Sequence, residues 1–269
     1  MPLQRPPQLA WPYLNPASPI YPGLIFAGLG PHPGGYDYHD CSPYRKHGTL
    51  TNMAVPATAT SGWKWDNFLG RWALMFDANS SNKVTFNAIS LGTTYSYSEW
   101  IKGLPPYTFS SGAYSYALNV ASATLAQHNT GSPYVSFAIS PELPETQWYH
   151  ACIRRVDTSV ELFINGVQQG GVQTLSSNYA QIPYIEKAHG GNGYATFTSA
   201  DAMLWKSIAL SNAQISALAD PSNTMLSVGN TPLILPPRRI LWPVAVAGGH
   251  PARRRFGGVP YAALNRGVW

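Results

Sequence analysis

The stretch Val160-Glu161-Leu162-Phe163-Ile164-Asn165-Gly166-Val167-Gln168-Gln169 decides how this chain is read. Asn165-Gly166 suits a two-residue type I′ turn, in which both central residues take positive φ angles that Asn and Gly adopt at little cost. Residues 160–164 therefore fold back antiparallel on residues 167–169. On the N-terminal side, residues 148–155 supply another strand. On the C-terminal side a Gly/Asn loop at 189–193 leads to two more, at 194–198 and 202–205. Further out, residues 24–27, 73–76 and 84–86 read as short buried strands, the last two separated by a turn at 77–82. Tyr114, Tyr116, Leu118 and Val120 share one face of a further strand. Residues 94–102 alternate, with Tyr95, Tyr97, Glu99 and Ile101 on one face and Thr94, Ser96, Ser98 and Trp100 on the other. That pattern leaves open which face points inward. Ser211-Asn212-Ala213-Gln214 is a capping box that starts one short helix running to about Ala219 and stopped by Pro221. Many short strands, turns between them and a single terminal helix predict an all-β, two-sheet antiparallel sandwich.

Composition agrees. The 269 residues include 24 Gly, 24 Pro, 16 Tyr and 9 Trp but only 11% charged residues, a balance of turn formers and strand-forming aromatics. The net charge of +5 is unevenly placed. Residues 236–269 hold Arg238, Arg239, Arg253, Arg254, Arg255 and Arg266 with no acid, whereas the rest of the chain is close to neutral. The basic character therefore belongs to the C-terminal end and says nothing of what the body binds. Two cysteines, Cys41 and Cys152, are too few for a disulfide framework and read as small buried residues. No secretory signal opens the sequence, and no apolar run approaches the ~18–20 residues of a membrane helix, so no membrane partner is expected.

The ends differ from the body. Residues 1–22 contain seven prolines, which fix φ and remove N–H donors, leaving an extended arm. Trp11, Tyr13 and Leu14 lie among them, and a plain linker is normally poor in such residues. These three are expected to dock on a partner. Residues 222–269 read as a second extended arm, in which Arg238, Arg239, Arg253, Arg254, Arg255 and Phe256 are the expected partner contacts. The body spans residues 23–221.

Several segments resemble laminin-G-like domains of the concanavalin A-like class. Asp40-Cys41-Ser42-Pro43-Tyr44-Arg45-Lys46-His47-Gly48-Thr49-Leu50-Thr51-Asn52 is similar to the segment that opens such domains. Leu74-Met75-Phe76-Asp77 and the strand ending in Trp100-Ile101-Lys102 resemble two of their strands. Trp148-Tyr149-His150 with Leu162-Phe163-Ile164-Asn165-Gly166, and Ala209-Leu210-Ser211-Asn212-Ala213-Gln214-Ile215, complete the series in the family's order. The resemblance implies a jelly-roll sandwich. It departs from the family at Cys41, where Leu is usual, and at Ala78, where Gly is usual. The resemblance further implies a context: with an Arg-rich end, such sequences look like structural proteins of tailed bacteriophages.

The acids show no E-x-D or D-x-E spacing, which would set two carboxylates on one strand face at the ~5–5.5 Å a retaining glycosidase needs. Glu99 reads as a hydrogen-bonded core acid. His32, Asp37, His39 and Asp40 form a His/Asp cluster without a recognised metal-ligand spacing. Asp77 and Asn79 are the candidate metal ligands, offering oxygens for calcium, but their loop lacks the glycine and distal Glu of an EF-hand, so no cofactor is the simpler expectation. The expected function is a non-enzymatic virion structural protein, such as a capsid decoration, fibre or tail-associated component, made in a host cytoplasm. Its partners are other virion proteins. The alternative is a carbohydrate-binding adhesin with a cell-surface glycan as partner, and a glycoside hydrolase ranks third. Nucleic acid is a lesser candidate for the Arg-rich tail.

Overall fold

A computed structural model of the chain describes residues 14, 18–29, 35–77, 82–87, 89–106, 108–110, 115–130, 134–175, 186–187, 196–222, 227–228 and 231–232. All belong to one unit, residues 1–235. The strands are, in chain order, β1 (Leu24–Gly28), β2 (Asp37–Tyr38), β3 (Gly48–Thr51), β4 (Gly62–Asp66), β5 (Arg71–Phe76) and β6 (Lys83–Thr85). Next come β7 (Tyr95–Lys102), β8 (Thr108–Ser110), β9 (Ser115–Ser122), β10 (Leu125–Thr130), β11 (Val135–Ala138) and β12 (Trp148–Val156). The remainder are β13 (Ser159–Ile164), β14 (Val167–Thr174), β15 (Glu186–Lys187), β16 (Phe197–Lys206), β17 (Ser227–Val228) and β18 (Thr231–Pro232), with one helix, α1 (Asn212–Leu218), between β16 and β17.

Two large antiparallel sheets result. The first runs β14-β13-β12-β7-β16-β5-β4, with β1 also paired to β16; the second runs β11-β10-β9-β8-β15-β6-β3-β2. Their inner faces interdigitate through Phe26, Leu74, Tyr97, Leu118, Phe137 and Tyr149, all of them buried. This is the expected all-β jelly-roll sandwich. The β13–β14 hairpin turns on Asn165 (φ 50) and Gly166 (φ 80), as the Asn-Gly pair predicts. Glycine is needed at 166 for a second reason: a Cβ there would stand 3.2 Å from the Ser216 Cα of the helix.

β7 explains why its sequence left the facing open. Tyr95, Tyr97 and Ile101 enter the core between the sheets, while Trp100 packs on the opposite face with Leu69, Ala73 and Ala200. A central strand covered on both sides has no polar face to read. The expected pair of strands at 194–198 and 202–205 is instead the single strand β16. Its pairing with β7 shifts register between Ala200 and Met203, where Asp201 takes φ 51. A bulge absorbs the irregularity without turning the chain.

The outer face of the first sheet is closed by α1 and by the chain before β1. Ser211 caps α1 through its hydroxyl on the Gln214 N–H, and the Gln214 side chain answers on the Ser211 N–H, completing the expected capping box. Leu14 and Ile20 are buried with Trp205, Leu210, Ile215 and Leu218. The Trp205 indole donates to the Ile20 carbonyl at 2.6 Å, and Gln214 Nε2 donates to the Pro19 carbonyl at 2.8 Å. Leu14, expected to contact a partner, is therefore spent on its own chain, and the body begins ahead of residue 23. The physical reason is the apolar surface left between α1 and β16, which the proline-fixed segment covers at little entropic cost. Trp11 and Tyr13 lie outside the described residues. We expect Ile20→Ala to destabilise the protein by about 3 kcal/mol, through lost burial and the cavity left behind. Urea unfolding measures this, and a loss under about 0.5 kcal/mol would mean that the segment is not part of the body.

Candidate functional site

The opening motif acts as a structural clamp. The buried Asp40 carboxylate accepts from Ala27 N at 2.9 Å, Ser42 N at 2.8 Å, Ser42 Oγ at 2.8 Å and Lys46 N at 2.7 Å. His47 Nδ1 accepts from the Asp40 N–H at 3.1 Å. Asp40 is thus committed to N–H and O–H donors and is not a metal ligand. His32 lies outside the described residues, and among the described residues no three His, Cys, Asp or Glu side chains cluster as a metal site would require. Cys41 and Cys152 are both buried and unbridged. Burial pushes the Cys41 thiol up to about 12 and the Cys152 thiol higher, so neither supplies a thiolate.

The turn after β5 was the candidate for calcium. Asp77 Oδ2 accepts from Thr60 Oγ1 at 2.9 Å. Asn82 Oδ1 accepts from Asp77 N at 2.7 Å and Ser61 Oγ at 2.9 Å, while its Nδ2 donates to the Asn52 carbonyl. Among the described residues, these oxygens are engaged in holding the ends of the turn together. Asn79 lies outside the described residues, as do Arg238, Arg239, Arg253, Arg254, Arg255 and Phe256.

Glu99 is fully buried in the core, its two oxygens accepting from the Tyr97 and Ser199 hydroxyls. Burial first, then the Glu99 carboxylate, raises the Tyr97 phenol well above its usual value, which keeps it a donor. This is the hydrogen-bonded core acid expected from sequence. On the outer face of the same sheet Arg71 pairs with Asp201, and its Nη2 donates to the Pro221 carbonyl at 2.9 Å. His150 Nε2 meets Ser98 Oγ at 2.7 Å, leaving Nδ1 without a partner, so its imidazole is only half satisfied.

A feature not singled out from sequence lies on the β4–β5 hairpin. Strand alternation places Trp63 and Trp65 of β4 on one face together with Trp72, which pairs directly with Trp65. Trp63 is buried and stacks on Tyr38 with ring centroids 5.4 Å apart. Trp65 is 42% exposed, and the Trp72 ring meets it edge to face at 5.8 Å and 82°. At the tip, Asp66 Oδ1 accepts from the Phe68 and Leu69 N–H groups at 2.9 Å each, fixing the turn while Phe68 stands 64% exposed. The Trp148 indole donates to Asp66 Oδ2 at 2.9 Å, so the hairpin is tied to β12 from its other face. The period-2 run Trp63-Lys64-Trp65-Asp66 was the available signal for this strand.

The laminin-G-type family described as the concanavalin A-like lectin/glucanases superfamily matches residues 77–216, just over half of the chain. The chain belongs to this superfamily. No curated protein sequence matches the chain. Among solved structures, it is similar to domain 4 of an extracellular arabinanase from Geobacillus stearothermophilus, solved with arabinotriose. The TM-score is 0.56 at 13% identity, covering 73% of this chain and 98% of that one. The binding domain of botulinum neurotoxin serotype D/C follows at TM-score 0.53 and 13% identity, covering 74% of this chain and 52% of that one. A Trypanosoma rangeli sialidase in complex with a difluorosialic acid gives TM-score 0.51 at 13% identity, with 76% and 34% covered. The chain thus spans about half of the toxin domain and a third of the sialidase. At these identities the likeness is one of fold: a lectin-like sandwich. Among the described residues no helix is long and apolar enough to cross a membrane.

Proposed function

We propose that this chain is a non-catalytic binding protein whose sandwich engages a glycan. The observation that carries the reading is the exposed indole of Trp65 on a rigid hairpin at the edge of a lectin-like sandwich. An exposed indole on a fixed hairpin offers an apolar face with a polar N–H edge, which suits a ligand with one apolar side. Similar structures lend support, since one was solved with arabinotriose and another with a sialic acid derivative. The non-enzymatic part is supported by the engagement of four of the twelve acids: Glu99 in the core, Asp40 in its clamp, Asp201 with Arg71, and Glu161 with Arg154.

A second reading, a place in a virion as a decoration, fibre or tail-associated protein, is favoured by the acid-free, six-arginine end at residues 236–269 and by the phage-like resemblance of the sequence. The two roles are compatible: the sandwich is presented to a glycan while the C-terminal segment holds an acidic neighbour. With Leu14 and Ile20 committed to the body, anchoring falls chiefly to that end. The test is retention of the full chain on an array of immobilised glycans, with and without chelator, beside a chain ending at residue 235. Both forms are expected to be retained equally, chelator is expected to change nothing, and only the full chain is expected to enter particles. Loss of retention on chelation would restore a metal at the Asp77 loop. Measurable release of reducing ends would overturn the non-catalytic reading.

A further inference from the structure

Resting on the glycan-binding reading, we infer that Trp65 is the stacking platform for a neutral pyranose ring that presents an unbroken patch of axial C–H groups, as gluco- and galacto-configured sugars do. Three features of the hairpin carry this.

One is the open ring. The Trp72 ring stands perpendicular to Trp65 at 5.8 Å, and Trp65 still retains 42% of its surface. An open aromatic surface beside a perpendicular neighbour is a platform for one sugar ring, held by dispersion and by the attraction of C–H groups to the negative face of the π system.

Another is the sorting of charge. On β4 and β5 the charged residues Lys64, Asp66 and Arg71 all alternate onto the face opposite Trp63, Trp65 and Trp72. Each is also engaged there: Lys64 Nζ with the Ala59 carbonyl at 3.1 Å, Asp66 with the turn N–H groups and Trp148, and Arg71 with Asp201 and Pro221. The aromatic face of the hairpin therefore carries no formal charge, and a sialylated or uronic acid ring would find no cation on it.

The last is size. Trp65, 42% exposed, offers roughly 60–110 Å² of aromatic surface if its side chain presents the usual ~150–250 Å² in full. That is the scale of one sugar ring.

The test titrates full-length protein with two soluble neutral polysaccharides, xyloglucan and galactomannan, and two polyanions, polygalacturonate and polysialic acid, following tryptophan fluorescence and affinity electrophoresis. A neutral polymer is expected to bind with a blue shift of the exposed indole. Trp65→Ala is expected to raise its Kd at least ten-fold, Trp65→Phe less, and Lys64→Ala is expected to leave it unchanged. Melting temperatures within a few degrees of wild type exclude misfolding. Unchanged affinity in Trp65→Ala, or binding to the polyanions alone, would overturn the platform while leaving the glycan reading in place. Binding to none of these and to no glycan on the array, with a self-association that Trp65→Ala abolishes, would overturn both and mark a protein contact.

Discussion

Replacing Asp40 with alanine is expected to cost about 4 kcal/mol and to lower the melting temperature by about 8–16 °C. The carboxylate is buried and accepts four hydrogen bonds, from Ala27 N, Ser42 N, Ser42 Oγ and Lys46 N. Bonds to an ionised acceptor contribute about 1.5–3 kcal/mol each, and stranded buried donors cost about 1–3 kcal/mol. Water entering the partly exposed end near Lys46 and rotation of the Ser42 hydroxyl offset part of the sum. For a body of this size each kcal/mol moves the melting temperature by about 2–4 °C. Asp40→Asn keeps one acceptor oxygen and should fall between wild type and alanine. Thermal and urea unfolding measure both; a loss below about 1 kcal/mol for the alanine variant would show that the clamp is dispensable.

The second large effect is acid sensitivity. His128 is buried, its Nδ1 donating to the Ala117 carbonyl at 2.7 Å and its Nε2 accepting from the Tyr95 hydroxyl at 2.9 Å. Burial lowers it to about 4, against the Ala117 bond and with help from Arg155. Burial, with a contribution from Arg71, lowers His150 to about 3. Both imidazoles are neutral in the folded protein where the unfolded chain is already protonated. Between pH 6.5 and about 4 the unfolded state therefore binds more protons, and stability falls as pH falls through that window. Each histidine contributes about 1.4 kcal/mol per pH unit at most, so roughly 5 kcal/mol should be lost by pH 4.5. The stability of the double variant His128→Gln, His150→Gln should vary far less with pH, although lower overall. An unchanged slope in urea unfolding from pH 7 to 4.5 would assign the acid response elsewhere.

Much of this architecture was legible in the sequence because its signals are local. Asn165-Gly166 demands its turn geometry whatever surrounds it, and Ser211 with Gln214 closes a capping box within one helical turn. What escaped required knowledge of neighbours. The bulge at Asp201 depends on the register of β16 against β7, so two runs were read where one strand exists. Leu14 and Ile20 announce docking in a proline-rich stretch, but nothing local tells whether the acceptor is the same chain. Trp65 becomes a candidate only once pairing with Trp72 at the edge of the sheet shows that it stays open while Trp63, two residues away, is covered by Tyr38. The clamp at Asp40 accounts for why a family-like opening segment is so polar: its side chains fasten a loop to β1.

The Arg71 contact with Pro221 has a mechanical meaning. If the chain past residue 222 is a tether, a pull along it reaches β16 through the covalent chain of α1, and the Pro221 carbonyl adds a second link through the Arg71 guanidinium to β5. The load is then shared by two adjacent strands inside the first sheet. Strain from a moving anchor would be spread as shear across interior strands and reach the marginal strand β4 only through its pairing with β5.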